Sequence, residues 1–133
     1  MKSLILTILL STFAFSGTSV YVSYNNKLSK VSHKDLANLY LKKSNTINGI
    51  KVIPVDSQNK KLFKEFYKNI VRKTPKQLHA YWIKEIYRGT KKPPKKLSAK
   101  AIKKAMNKVK KNKTPIIAYA KNPKTGHILL TIK

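Results

Sequence analysis

The chain has no cysteine, and of its 133 residues only four are acidic, two are arginine and one is tryptophan. Each scarcity closes a class of function. Without cysteine there is no disulfide, no thiolate chemistry and no lipidated cysteine to serve as an anchor. The four carboxylates (Asp35, Asp56, Glu65, Glu85) and three separated histidines (His33, His79, His127) suggest neither a catalytic dyad nor a triad. Three scattered histidines also make a poor metal site, and a metal cation would be repelled by so cationic a chain. No Gly-x-Ser-x-Gly elbow, Walker loop or His-Glu-x-x-His is present. The expectation is therefore a protein that is not an enzyme and takes no metal or cofactor. Arg72 and Arg88 alone leave little for bidentate base reading, so nucleic acid is not the expected partner. No apolar run reaches the roughly 20 residues needed to span a bilayer.

What the chain has in abundance is lysine. Lysine and arginine total 30, for a net charge of +26. Repulsion at this charge opposes compaction, so an anionic partner or a counterion layer is expected. Length and apolar content suit one small domain with a modest core. Lys2 precedes the apolar run Leu4 to Leu10, which Thr12 to Phe15 extends, and Ala14-Phe15-Ser16 offers small residues around a cleavage point after Ser16. That layout predicts a secretory signal peptide over 1–16 and an exported domain, periplasmic or secreted, over 17–133.

Along that domain the residues predict alternating strands and helices. Val20 to Tyr24 read as a short β-branched and aromatic strand. Ser32 reads as a helix N-cap, with Asp35 three residues on, ahead of Leu36, Leu39 and Tyr40, and Val31 and Leu36 stand in the staple positions. Asn48-Gly49 signals a turn, and Ile50 to Val55 a strand that ends or lies at an edge at Pro54. Between Asn59 and Arg72 the pairs Leu62-Phe63, Phe66-Tyr67 and Ile70-Val71 recur four apart, the stripe of a helix. Thr74-Pro75 with Gln77 caps the next helix, where Leu78, Tyr81, Trp82, Glu85 and Ile86 are expected to share a broad buried face with Tyr87 at its border, and Gly89 suits its C-cap. Lys91 to Lys96 read as a solvated loop stiffened by Pro93 and Pro94. Ser98 opens a last helix with Ala101, Ile102, Ala105, Met106 and Val109 on one face and lysines mostly on the other. Pro115 to Ala120 and His127 to Lys133 close the chain as strands. This order predicts an α/β fold with a central mixed sheet flanked by helices.

The ordered set "VYVSYNN", "LSKVSHKDLANLYLKK", "INGIKVIPVD", "LFKEFYKNIV", "YWIKEIYRGTKKPP" and "TPIIAYA" resembles the phosphate-binding branch of the type II periplasmic substrate-binding proteins. The likeness is to short, single-lobe members and spans roughly residues 20 to 120. It implies one lobe of that fold, a phosphate or other small anion as ligand, and an ABC transporter or a second copy of the chain as partner. The departures bear on the ligand. Where full-length members hold phosphate with an arginine and a Ser-Gly-Thr turn, this chain has "VDSQNKKLF".

A strand that runs into a helix N-terminus leaves unpaired N–H groups and the positive end of a dipole, which together suit an anion. Ser57, Gln58, Asn59 and Lys60 stand at such a junction, and Ser23, Asn25 and Asn26 at the end of the first strand are expected to share its edge. The competing expectation is structural: Ser57 or Asn59 caps the helix, "SYNN" is a plain turn, and Tyr119 belongs to the core. A second functional reading uses the lysines directly, with polyanions or anionic lipid surfaces as partners and binding that weakens with salt. A pocket lined by Ser23, Asn25, Ser57 and Gln58 favours the first reading, and a flat edge with a continuous lysine face favours the second.

Overall fold

The computed structural model describes residues 17–23, 28, 30–89, 91–109, 113–123 and 126–132. The expected signal peptide lies outside them, as do Asn25 and Asn26. In chain order the elements are β1 (Thr18–Val22), α1 (His33–Tyr40), β2 (Thr46–Ile47), β3 (Ile50–Lys51), β4 (Ile53–Ser57), α2 (Lys60–Phe66), a π-helical turn (Tyr67–Val71), α3 (Pro75–Tyr87), β5 (Lys95–Leu97), α4 (Ala99–Lys108), β6 (Ile116–Lys121) and β7 (His127–Ile132).

Among the described residues, five strands form one mixed sheet in the order β5-β4-β6-β1-β7. Strand β4 runs parallel to both β5 and β6, while β1 runs antiparallel to β6 and β7. Because side chains alternate across a strand, β1 and β6 feed two cores. Val20, Val22, Ile117 and Tyr119 meet Leu36, Leu39, Phe66, Ile70, Leu78 and Trp82 on the side of α1, α2 and α3. Tyr21, Val55 and Ala118 meet Ile102 and Met106 of α4 on the other side. Helices thus flank the sheet on both faces, the α/β arrangement expected from the order of elements.

The helix starts follow their side-chain caps. Ser32 Oγ accepts from Asp35 N–H and the Asp35 carboxylate accepts from Ser32 N–H. Thr74 and Gln77 make the same reciprocal pair, and Ser98 Oγ accepts from Ala101 N–H. Each satisfies donors that the first turn of a helix cannot pair internally. Asn48 and Gly49, at φ 52° and 81°, turn the small β2–β3 hairpin, as two left-handed residues do in a tight turn. Gly126 is required for a different reason. Besides its φ of 73°, an added Cβ would come within 2.2 Å of the Val22 carbonyl oxygen, so only glycine lets the chain enter β7 this close to β1.

Five expectations are corrected. The first strand occupies Thr18–Val22 rather than Val20 to Tyr24, and the strand expected over Ile50 to Val55 is divided at Val52, whose N–H donates to Asn45. The single helix expected from Asn59 to Arg72 becomes a π turn after Phe66 and ends with Arg72 in the left-handed region. A four-residue repeat overshoots the 3.6-residue α period by about 40° each time; the wider π turn keeps Tyr67, Ile70 and Val71 buried on one side. Part of the expected loop is strand β5, which pairs with β4 as Val55↔Lys95, Asp56↔Lys96 and Ser57↔Leu97. Its lysines and the Pro93-Pro94 pair ahead of it suit an edge, where they discourage further strand pairing. Finally, Ile86 is 53% exposed instead of buried.

Candidate functional site

The C-terminal ends of the parallel strands β4 and β6 carry the polar chemistry of the fold. Asp56 lies in β4 with only 2% of its surface exposed, between an aromatic cluster and the edge strand. The Tyr67 hydroxyl donates to Asp56 Oδ2 at 2.8 Å and the Tyr119 hydroxyl to Oδ1 at 2.9 Å. Tyr119 in turn accepts from Ser57 N–H. Tyr40, on the same face, donates to the Val55 and Ile117 carbonyls and so links β4 to β6. The Tyr40, Phe66, Tyr67 and Tyr119 rings pack together, with Phe66 stacked on Tyr119 at 4.0 Å between centroids and 1° between planes.

Burial pushes the Asp56 carboxyl from its ordinary 3.8 up to about 6. The hydrogen bonds from Tyr67 and Tyr119 oppose that rise, as do the more distant charges of Lys96 and Lys42. Burial first, then the Asp56 charge, drives both Tyr67 and Tyr119 far above the usual phenol range, so both remain donors. Asp56 is thus an internal acceptor whose partners are fixed tyrosines. A carboxylate at this place opposes binding of an anion beside it.

The expected anion cradle is mostly consumed by the fold. Ser57 N–H donates to Tyr119, Gln58 N–H to the Leu97 carbonyl and Asn59 N–H to Ser57 Oγ. The Asn59 side chain caps α2 by accepting from Leu62 N–H. Of the two residues expected as the helix cap, Asn59 is the one that caps it, and Tyr119 is buried in the core. Gln58 and Lys60 are exposed at the same junction.

Ser23 is not brought to that edge. It is fully buried, with its N–H donating to the Ile116 carbonyl and its Oγ accepting from Ile116 N–H. Ile116 pairs with Ile53 at the start of β4, whereas Ser57 ends β4. The antiparallel course of β1 thus sends Ser23 to the opposite end of the sheet from Ser57, about 13 Å away along four strand residues. Asn25 and Asn26, which follow Ser23, lie outside the described residues.

A cleft of about 200 Å³ opens beside Ser57, lined by Tyr21, Leu62, Ile102, Tyr119 and Pro123 among others, with Lys103 its one cation among the described residues. The sequence reading placed Lys103 only on a solvated helix face. Its role as a cleft residue depends on α4 starting next to the end of β5, and β5 carries no strand signal. Among the described residues, no three His, Asp or Glu side chains gather into a metal-binding group, and no helix is long and apolar enough to cross a membrane.

All four carboxylates are occupied inside the fold. Asp35 completes a capping box, Asp56 takes its tyrosines, and Glu65 accepts from the Thr18 hydroxyl at 3.0 Å. Glu85 is buried and lies 3.7 Å from Arg88 and 3.8 Å from Lys91. The surface left over is cationic. Around the β5 edge, Lys60, Lys61, Lys95, Lys96, Lys100 and Lys103 are all exposed, and Lys96 Nζ sits 4.3 Å from the Phe63 ring centroid, tying β5 to α2. No family model, curated protein or solved structure matched the chain.

Proposed function

We propose that the chain is a non-catalytic, exported protein that binds polyanions through its lysine surface. One observation carries this reading: every carboxylate is engaged within the fold while the lysines around β5, α2 and α4 face solvent. A surface of one sign attracts a polymer or surface of phosphates at long range and holds it without a shaped pocket. Resemblance to one periplasmic-binding-type lobe belongs to the same proposal. A mixed sheet between helices suits such a lobe, and one lobe alone supplies no opposing wall to enclose a small ligand. The test is binding of inorganic polyphosphate between about 0.05 M and 0.5 M salt, over which the screening length falls from roughly 14 Å to 4 Å. Affinity is expected to fall at least about tenfold, as counterion release requires. Affinity unchanged across that range contradicts the proposal.

A small-anion reading has one observation of its own: the cleft beside Ser57 receives Lys103 at the C-terminal end of parallel strands, where open α/β sheets bind ligands. On this reading a phosphate ion, delivered to a transporter or shared with a second copy, would rest against Lys103. Calorimetry with millimolar phosphate is then expected to give heat that Lys103→Ala abolishes. Silence from the unmodified protein removes this reading and leaves the polyanion surface.

A further inference from the structure

Helix α3 has two apolar faces, and only one of them is used by the core. Leu78 and Trp82 point inward together with Glu85. Ile83, Ile86 and Tyr87 point outward, at 55%, 53% and 92% exposure, and account for three of the five large hydrophobic residues exposed among the described ones. Their spacings of three and four place them side by side on one helix surface. Lys76 and Lys84, both exposed, rim that surface. The one carboxylate of the helix, Glu85, is turned inward toward Arg88 and Lys91. The outward face therefore presents two aliphatic side chains, a phenol and a cationic border, with no acid.

We infer that this face of α3 inserts into the interface of an anionic lipid bilayer. Two β-branched chains and one tyrosine suit the boundary between headgroup and acyl chain, where an aromatic ring can bury its body and keep its hydroxyl wet. Lysines at the rim can extend to lipid phosphates while their stems cover apolar surface. A small apolar wedge binds weakly alone, and a basic surface adds the second attraction that makes attachment stable. A second copy fits poorly, since each chain carries +26 and two such faces would bring like charges together. Single-stranded nucleic acid also fits poorly, because it calls for successive rings to stack on, and this face has one. The inference rests on the polyanion reading for its electrostatic half and adds the bilayer as the partner.

The experiment uses the full chain carrying Tyr87→Trp, mixed with vesicles of phosphatidylcholine and about one third phosphatidylglycerol whose acyl chains are brominated. The introduced indole is expected to be quenched well beyond the native Trp82 signal, and only by the anionic vesicles. Adding Ile83→Ser and Ile86→Ser, both at exposed positions, is expected to weaken vesicle binding about tenfold and leave polyphosphate binding unchanged. Quenching no greater than that of the unmodified chain, with polyphosphate still bound, overturns the insertion and spares the polyanion reading. Loss of both ligands overturns both. Self-association that the two serines abolish, without any change in vesicle binding, assigns the face to a second copy and overturns the bilayer.

Discussion

Phe66→Ala is expected to lower the free energy of unfolding by about 3–5 kcal/mol. Phe66 is fully buried, stacked flat on Tyr119 and tilted 4.6 Å from Tyr40. Truncation removes the transfer energy of the ring and opens a cavity between the helices and the sheet. It also removes the surface that keeps the Tyr119 hydroxyl on Asp56, so a hydrogen-bonded acid becomes a loosely held one. Domains of this size are stable by about 5–15 kcal/mol, so the variant sits near the edge of folding. Urea titration followed by Trp82 fluorescence measures the change, and Phe66→Leu, which refills most of the volume, should recover more than half of it. A loss under about 1 kcal/mol for Phe66→Ala, typical of a surface change, would contradict this assignment of the core.

The second large effect is a dependence on pH that runs against ordinary acid lability. The Asp56 carboxyl is raised in the folded state from 3.8 to about 6, so between those values the native chain holds a proton that the unfolded chain has released. Stability from this group is therefore full below about pH 4, falls as the pH rises, and levels off above about pH 6. The total is about 3 kcal/mol, from the linkage between a shift of about two pH units and free energy. Asp56→Asn isolates it. The asparagine carbonyl can still accept from Tyr67 and Tyr119, both of which reach Asp56 Oδ1, and it carries no charge to desolvate. Relative to the unmodified protein, the variant should gain about that amount between pH 4 and pH 7, measured by denaturant unfolding at each pH. A constant difference across the range would mean that Asp56 does not titrate where its burial puts it.

The sequence was most legible where a few neighbouring residues decide the outcome. Ser32 with Asp35 and Thr74 with Gln77 start helices because their side chains close their own first turns, and Asn48-Gly49 turns a hairpin because both residues tolerate positive φ. It was least legible where a distant segment decides. Strand β5 contains "KKL" and has no apolar alternation; it is a strand because β4 lies alongside it. Asp56 read as an acid beside a possible anion site, and only the fold brings Tyr67 and Tyr119 onto it. Ser23 and Ser57 read as neighbours because each ends a strand, yet opposite strand directions send them to opposite ends of the sheet. Ile86 followed the periodicity of Trp82 and Glu85 but falls beyond the edge of the buried face, since a sequence stripe does not say how wide its partner surface is.

The place of β1 in the sheet carries a consequence for when the protein can fold. Thr18–Val22 is hydrogen-bonded on one side to Ile116–Lys121 and on the other to His127–Ile132. Among the described strands, β1 therefore waits for the two that follow all the others, and nearly the whole intervening stretch must be looped out before either pairing forms. Such long-range closure is slow, and during synthesis β1 has no partner at all. This half of the sheet therefore stays open on the ribosome until β6 and β7 have emerged.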